Sequence, residues 1–414
     1  MIDEDRKPAK DGIFYGWKIV AALFVILAFT SGLGFYNHSV ILTALSNDVG
    51  FPLALVSGAV SVFFFVSGIS GLVIGSLLER YDVRWIIAAG AALASVSLGA
   101  MGYVSEIWQL YLLYAVFGVG FSASGLLPAT TLIARWFHES RAKALSIAST
   151  GLSVGGVIIT PFSAALIGTQ GIAVASPWLG VLYFAGVFPA CIFVLRSAPS
   201  DIGLAADGRK SDGSASRTLD GITLGDAIRQ RYFWTLGIAY FFVMLAQVGA
   251  IAHQYGVVGE HLEGTEAAYA IAVLPFFSIL GRLLGGVVID LFSASRFTVV
   301  MMLFQAASLA LIAFAGGSTM LLLGLALFGL TVGNLLMLQP LLIAEVYGLV
   351  NYSRIYSWSN LLTMLGVAGG PALMGYLAVI EDSYRLPYLV AAVSGLVACF
   401  VFLLAKPPAQ NNRR

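Results

Sequence analysis

Long apolar runs, interrupted by short clusters of Gly, Pro and charged residues, make up most of this chain. A helix needs about 20 predominantly apolar residues to cross the hydrocarbon core of a bilayer. Reading for stretches of about 18 to 26 residues without interior charge predicts twelve crossings. They fall near 18–44, 52–78, 85–104, 109–134, 144–168, 178–195, 233–258, 267–290, 297–316, 319–344, 355–380 and 386–405. The first run, from Ile19 to about Leu45, is too long for a cleavable signal peptide and lacks a small-residue cleavage site followed by a polar chain, so it is expected to remain as the first span. The long hydrophilic segment, 196–232, is rich in Ser, Asp, Gly and basic residues. It reads as a linker with one short surface helix around Leu224–Arg231. The expected architecture is an all-α membrane protein, with an N-terminal six-helix half over 1–195, a cytoplasmic linker over 196–232 and a C-terminal six-helix half over 233–414.

The basic residues orient this arrangement. Of the 22 Lys and Arg, counted along alternate loops, only Arg385 falls on the face opposite the termini and only Arg282 lies inside a span. By the positive-inside rule the termini and the linker are expected in the cytoplasm, as in a multi-pass plasma-membrane protein, here of a bacterial inner membrane. Composition agrees: 59% of residues are hydrophobic and 10% charged, against roughly a quarter charged in soluble proteins. A soluble globular fold is excluded on that ground. A net charge of +1 gives no reason to expect a nucleic-acid partner. Cys191 and Cys399 lie in apolar runs and read as helix-packing residues. The four histidines and two cysteines follow no metal-ligand spacing, no phosphate-binding loop occurs, and no cofactor is expected. Gly151-Leu152-Ser153-Val154-Gly155 matches a nucleophile-elbow pattern but falls within a predicted helix rather than at a strand-to-helix turn, so no enzymatic activity is expected.

Comparing the two halves at an offset of about 210 residues uncovers a duplication. Gly75-Ser76-Leu77-Leu78-Glu79-Arg80 before Arg84 answers to Gly286-Val287-Val288-Ile289-Asp290 before Arg296. Phe117-Gly118 answers to Phe328-Gly329, Leu132-Ile133-Ala134 to Leu342-Ile343-Ala344, and Pro161 to Pro371. A 6+6 parallel repeat of this kind resembles the major facilitator superfamily, which implies a substrate site between two halves that rock about it. In the paired motifs glycine lets helices approach closely, and Glu79 with Arg84, like Asp290 with Arg296, is read as a gating pair. Ordinary solvated loop charges are the plainer alternative.

Two local patterns narrow the resemblance. Asp11-Gly12 followed by Gly16-Trp17 resembles the Asp/Glu-Gly, Gly-Trp motif of the monocarboxylate transporter family. Arg135-Trp136-Phe137, then Arg141, Ala144, Gly151 and Gly155, is similar to that family's signature, shared with bacterial oxalate/formate antiporters.

Arg282 is the one Lys, Arg, Asp or Glu deep inside a predicted span, eight residues before Asp290 and so about 12 Å from the helix end. A charge at that depth should face a cavity or a partner. No carboxylate lies at comparable depth, so the natural counter-ion is an anionic substrate held by the guanidinium fork. An arginine that snorkels, or that bonds backbone carbonyls, is the alternative. The family resemblance puts the same carboxylate-binding role on Arg282. Family members often carry an Asp one turn earlier that takes part in proton coupling, and Ser278 stands there instead. Oxalate transporters of the related group add a helix 11 lysine, and helix 11 here offers Ser357, Ser359 and Asn360 but no cation. One positive charge favours a monoanion over a dianion.

His38 and His253 are the remaining titratable candidates, and as Asn37-His38 and His253-Gln254 they sit at roughly equivalent places in the repeat. A near-neutral pKa would let either relay a proton, although plain interhelical or lipid-interface hydrogen bonding is the more economical reading of both. Tyr36, Gln247 and Asn334 are further substrate-binding candidates, with ordinary interhelical bonding an equal alternative; Ser122 and Ser124 are weaker ones. The expected function is alternating-access transport of a small organic monoanion such as lactate or pyruvate, with the proton as coupling ion. Its rivals are a carboxylate exchanger of the oxalate/formate type and a transporter-like membrane sensor.

Overall fold

The computed structural model describes residues 14–137, 140–204, 206–208, 221–288, 293–348 and 351–404, with backbone alone at 79, 142, 208, 286–288, 352 and 353. Asp290 and the side chain of Glu79 therefore lie outside the described residues. Among those described, twelve helices are long and apolar enough to cross a bilayer. In chain order they are α1 (Tyr15–Asn47), α2 (Leu53–Leu78), α3 (Val83–Tyr103), α4 (Ile107–Trp136), α5 (Lys143–Gln170), α6 (Ile172–Val194), α7 (Arg231–Ala252), α8 (Gly264–Gly285), α9 (Ala294–Ala313), α10 (Ser318–Tyr347), α11 (Arg354–Glu381) and α12 (Arg385–Leu403). All twelve predicted spans are present, and their ends differ in ways that have causes. The sixth starts at Ile172 rather than 178, because Gly171, at φ 74°, turns the chain directly into it. The seventh stops at Ala252, leaving His253 at a break before a short helix Gln254–Gly259. The predicted linker helix covers Leu224–Arg229, capped by the Thr223 hydroxyl, which accepts from the Asp226 N–H.

Packing follows the duplication. α1 lies against α5 and α6, α2 against α4, and α3 against α4 and α6; α7 lies against α11 and α12, α8 against α10, and α9 against α10 and α12. Advancing each helix number by six turns the first set into the second, so the two six-helix halves are pseudo-symmetric. The contacts between halves obey the same rule: α2 meets α11, and α5 meets α8.

Glycine makes the closest of these approaches possible. A Cβ built on Gly155 of α5 would lie 2.8 Å from Gly32 N and collide with Ala28 O of α1. One built on Gly370 of α11 would lie 2.8 Å from Gly249 N and collide with Leu245 O of α7. The register of the repeat can be read from these pairs. Gly32 corresponds to Gly249, so four residues on Tyr36 corresponds to His253. The structure thus shifts the alignment expected from Asn37-His38 and His253-Gln254, where no glycine contact was available to set it.

The halves do not touch along their whole length. On α2 the residues 57, 61, 64, 68, 72 and 75 share one face. Ser57 meets Gly375, Ser61 accepts the Ala372 N–H at 3.0 Å, and a Cβ built on Gly68 would lie 3.7 Å from Met364, all on α11. Beyond that point the same stripe is uncovered: Leu72 is 68% exposed, a Cβ on Gly75 would meet nothing within 4 Å, and across from them Leu361 is 48% exposed. The short segment after His253 also packs against the His38–Asn47 part of α1 at the closed end. The bundle is therefore sealed at the end away from the basic loops and parted at the end where α1 begins and α12 stops.

At that open end the N-terminal half is tied within itself. The Asp82 carboxylate, between α2 and α3, accepts from Arg84 Nε at 2.9 Å, Arg84 Nη2 at 2.5 Å and Ser197 Oγ at 2.6 Å. Arg135 Nη2 donates to Leu78 O at 2.6 Å and Trp136 Nε1 to Arg196 O at 3.0 Å. Arg84 is thus engaged by Asp82, a residue the motif comparison had not singled out. The Arg84 guanidinium holds the Asp82 carboxyl at about 2, below its ordinary 3.8. Because the folded value is the lower one, this contribution to stability is full above about pH 4 and is lost as pH falls through about 2. Asp82→Asn is expected to destabilise the detergent-solubilised protein by about 1–3 kcal/mol at neutral pH. Thermal unfolding against pH should show wild type and variant converging at the acid end, and a gap that stays constant down to pH 2 would contradict the assignment.

Candidate functional site

Four helices, two from each half, meet around Arg282. α8 runs from the sealed end toward the open end, and side chains lean toward the N-terminus of their helix, so Arg282 is directed back into the bundle rather than toward the basic face. α1 runs the opposite way, so the side chain of Tyr36 leans toward it. Tyr36 stands where α1 is interrupted between Gly34 and His38, and Ser31 O accepts both the Phe35 and the Tyr36 N–H there.

The Tyr36 ring lies at the meeting of α5 and α8, near Ser153, Ser278 and the charge of Arg282. Ser153 Oγ and Ser278 Oγ are 3.5 Å apart. Gly156 leaves room for this meeting: a Cβ there would lie 2.7 Å from both Tyr36 Cδ2 and Pro275 Cβ. Arg282 Nη1 donates to Ser149 O of α5 at 3.0 Å, across the junction of the halves, and its buried Nε has no hydrogen-bond partner among the described residues. No described carboxylate forms an ion pair with it; the ion pair found among the described residues is Arg84 with Asp82. A half-buried cation bonded to a single carbonyl among the described residues, with the hydroxyls of Tyr36, Ser153 and Ser278 nearby, retains donor capacity for an anion.

The structure therefore brings together Arg282, Tyr36 and Ser278 of the expected residues and adds Ser149 and Ser153. Ser153 had been weighed only as part of a nucleophile pattern; its spacing of three before Gly156 is the one signal that could have placed it on the junction face. Asn334 serves differently. Its Nδ2 donates to Gly281 O at 2.8 Å and Leu330 O at 2.9 Å, strapping α10 to α8, and it lines an apolar groove of about 330 Å³ between α8, α9 and α10. Gln247 is fully buried on α7, shares no hydrogen bond with the Arg282 cluster, and neither of its amide atoms has a partner among the described residues.

The histidines occupy contrasting places. His38 is enclosed by aromatic rings, Phe63 at 4.3 Å, Phe64 at 5.4 Å, Tyr114 at 5.6 Å and Phe117 at 6.0 Å between centroids. Neither of its ring nitrogens is bonded to a described residue. His253 instead bridges the halves: its Nε2 is 3.0 Å from Pro371 O of α11 and 3.3 Å from Ser57 Oγ of α2. Arg296 stands exposed in the first turn of α9.

Twelve spans in two pseudo-symmetric halves, sealed at one end, parted at the other and joined around a polar cluster, define a membrane transporter that works by alternating access. The chain belongs to the Major Facilitator Superfamily, whose family model matches residues 24–281 and 251–414. It is 25% identical over 304 residues to the MFS-type transporter pytF of Aspergillus terreus, covering 70% of this chain and 94% of that protein. It is 22% identical over 383 residues to monocarboxylate transporter 13 of Rattus norvegicus, covering 91% of this chain and 86% of the relative. Among solved structures, a bacterial homologue of the human lysosomal transporter Spinster, inward-facing and occupied, shares the fold with a TM-score of 0.74 at 17% identity, over 95% of this chain and 97% of the other.

Proposed function

We propose that this protein carries small organic monoanions of the lactate or pyruvate type across the membrane, coupled to a proton, with Arg282 as the carboxylate-binding residue. The observation that carries the reading is the Arg282 guanidinium itself: half-buried at the junction of the halves with its Nε buried, held by one backbone carbonyl and paired with no carboxylate among the described residues. Tyr36, Ser153 and Ser278 supply the hydroxyls that would orient the rest of the substrate. The likeness to monocarboxylate transporter 13 points the same way. In this reading the basic face is cytoplasmic, the bundle is open inward, and the segments 1–195 and 233–414, joined by the 196–232 linker, rock about the substrate site between them.

Exchange of one carboxylate for another, as in oxalate/formate antiporters, is the second reading. It is favoured by Ser278, which stands where a proton-handling acid would be expected. One cation leaves a second carboxylate uncompensated in a low-dielectric site. Uptake of labelled lactate or pyruvate into proteoliposomes is therefore expected to be inhibited strongly by monocarboxylates and weakly by oxalate or malonate. Tighter inhibition by a dicarboxylate at neutral pH would reverse the assignment. The pH gradient separates the two modes: symport accumulates substrate when the outside is acidic, whereas exchange requires only internal anion.

A further inference from the structure

His253 is the repeat counterpart of Tyr36, as the register set by the Gly32–Gly155 and Gly249–Gly370 contacts establishes. Both residues stand at a helix break, and both span the junction. Tyr36 of α1 faces α5 in its own half and α8 in the other; His253, directly after α7, faces α11 in its own half and α2 in the other. The fold has thus built two equivalent cross-half positions, one beside Arg282 and one at the sealed end, and placed a titratable base at the second.

The protonation state of that base follows from its neighbours. The Ser57 hydroxyl donates to Leu53 O at 2.7 Å, so toward His253 it presents a lone pair. Pro371 O is an acceptor as well. Both groups near Nε2 therefore accept, which requires Nε2 to carry the hydrogen. A neutral ring in this tautomer has its free lone pair on Nδ1, and Nδ1 is buried without a hydrogen-bond partner among the described residues. The titratable and charged groups around the junction are few. The Tyr384 ring lies 5.6 Å from the imidazole, and Glu260 Oε1 accepts the Tyr384 N–H rather than bonding the histidine. Tyr255 and Asp48 belong to the end segments of α7 and α1, and Glu381 and Asp382 to the far end of α11. None of these carboxylates bonds His253 among the described residues.

Resting on the proposed anion site, we infer that Nδ1 of His253 is the proton-binding site of this transporter, and that a proton taken up there releases the seal between α2 and α11. The step is a simple protonation: water at the far face supplies a proton to the Nδ1 lone pair, giving an imidazolium with N–H groups on both nitrogens. In the sealed arrangement Nδ1–H would have no acceptor and the charge no counter-ion among the described residues, a combination that burial penalises heavily. Opening of the junction exposes the ring to water and accommodates the cation. The sealed, inward-open form therefore carries neutral His253, and closure of the far face requires the proton to leave. Loading and release of one proton are in this way tied to which face is open. His38, inside its aromatic enclosure and bonded to neither α8 nor α11, lacks that link to the junction.

The test uses the full-length protein in proteoliposomes, with Ser61→Cys on the α2 side of the seal in a Cys191→Ser, Cys399→Ser background, and a membrane-impermeant maleimide applied from the far face. Labelling, expressed at each pH relative to the denatured protein so that the thiolate fraction cancels, is expected to rise several-fold as pH is lowered from 8 to 5, and to lose that dependence in His253→Gln, whose amide keeps a donor for Pro371 O without a titratable lone pair. In parallel, His253→Gln should lose accumulation driven by a pH gradient. pH-independent labelling of the otherwise wild-type protein, or an unchanged pH dependence in the variant, overturns the inference, and should His253→Gln not assemble, His253→Asn carries the same comparison. The labelling needs no substrate. If monocarboxylate exchange is absent from the wild type while labelling still follows His253, the anion reading fails and the proton site stands.

Discussion

Arg282→Ala should abolish monocarboxylate uptake and exchange while leaving a folded, membrane-inserted protein. Removing the guanidinium takes away the deep cation proposed to bind the carboxylate, and charge-assisted bidentate bonds of that kind are worth about 3 kcal/mol or more, roughly 100-fold in affinity. Arg282→Lys should fail nearly as badly, since it keeps the charge but loses the planar fork. Size-exclusion profile and melting temperature check that the loss is functional. A modest change in melting is expected, because the Ser149 carbonyl loses its donor in this state. Uptake by the alanine variant near the wild-type rate would remove the central assignment, and would leave the guanidinium as a strut between α8 and α5.

Gly155→Val and Gly370→Val should each prevent the protein from assembling as a monodisperse species. At both positions the space for a Cβ is occupied by the backbone of the facing helix, Ala28 O and Gly32 N for Gly155, and Leu245 O and Gly249 N for Gly370. A side chain can rotate away from an intruding methyl, but a helix backbone has to move as a body. Overpacking of a well-packed interior costs about 1–3 kcal/mol for small insertions, and a branched residue against backbone should exceed that. Gly75→Val is the matched control, since nothing lies within 4 Å of its Cβ position in this state. Yield and fluorescence-detected size exclusion in detergent provide the readout. Normal assembly of both glycine variants would mean that α1–α5 and α7–α11 are not held by backbone contact.

The twelve spans were legible in the chain because the requirement is local: a hydrocarbon core admits only segments long and apolar enough to satisfy their own backbone. The repeat was legible for a related reason, since motifs such as Phe117-Gly118 and Phe328-Gly329 recur at one offset. Arg282 could be singled out by energetic cost alone, as the lone deep charge among apolar residues. What a charge or a histidine faces, by contrast, depends on how helices from distant parts of the chain are rotated against one another. Hydropathy carries no such angle when a span is apolar on every side. Only the tertiary structure decided that Tyr36, Ser153 and Ser278 gather beside Arg282 while Asn334 straps two helices and Gln247 stands apart. The register of the repeat was decided the same way, by glycine-to-backbone contacts that pair Tyr36 with His253. Which end of the bundle is closed also lay beyond the chain's pattern, because one sequence must support both the open and the closed arrangement if the protein is to transport at all.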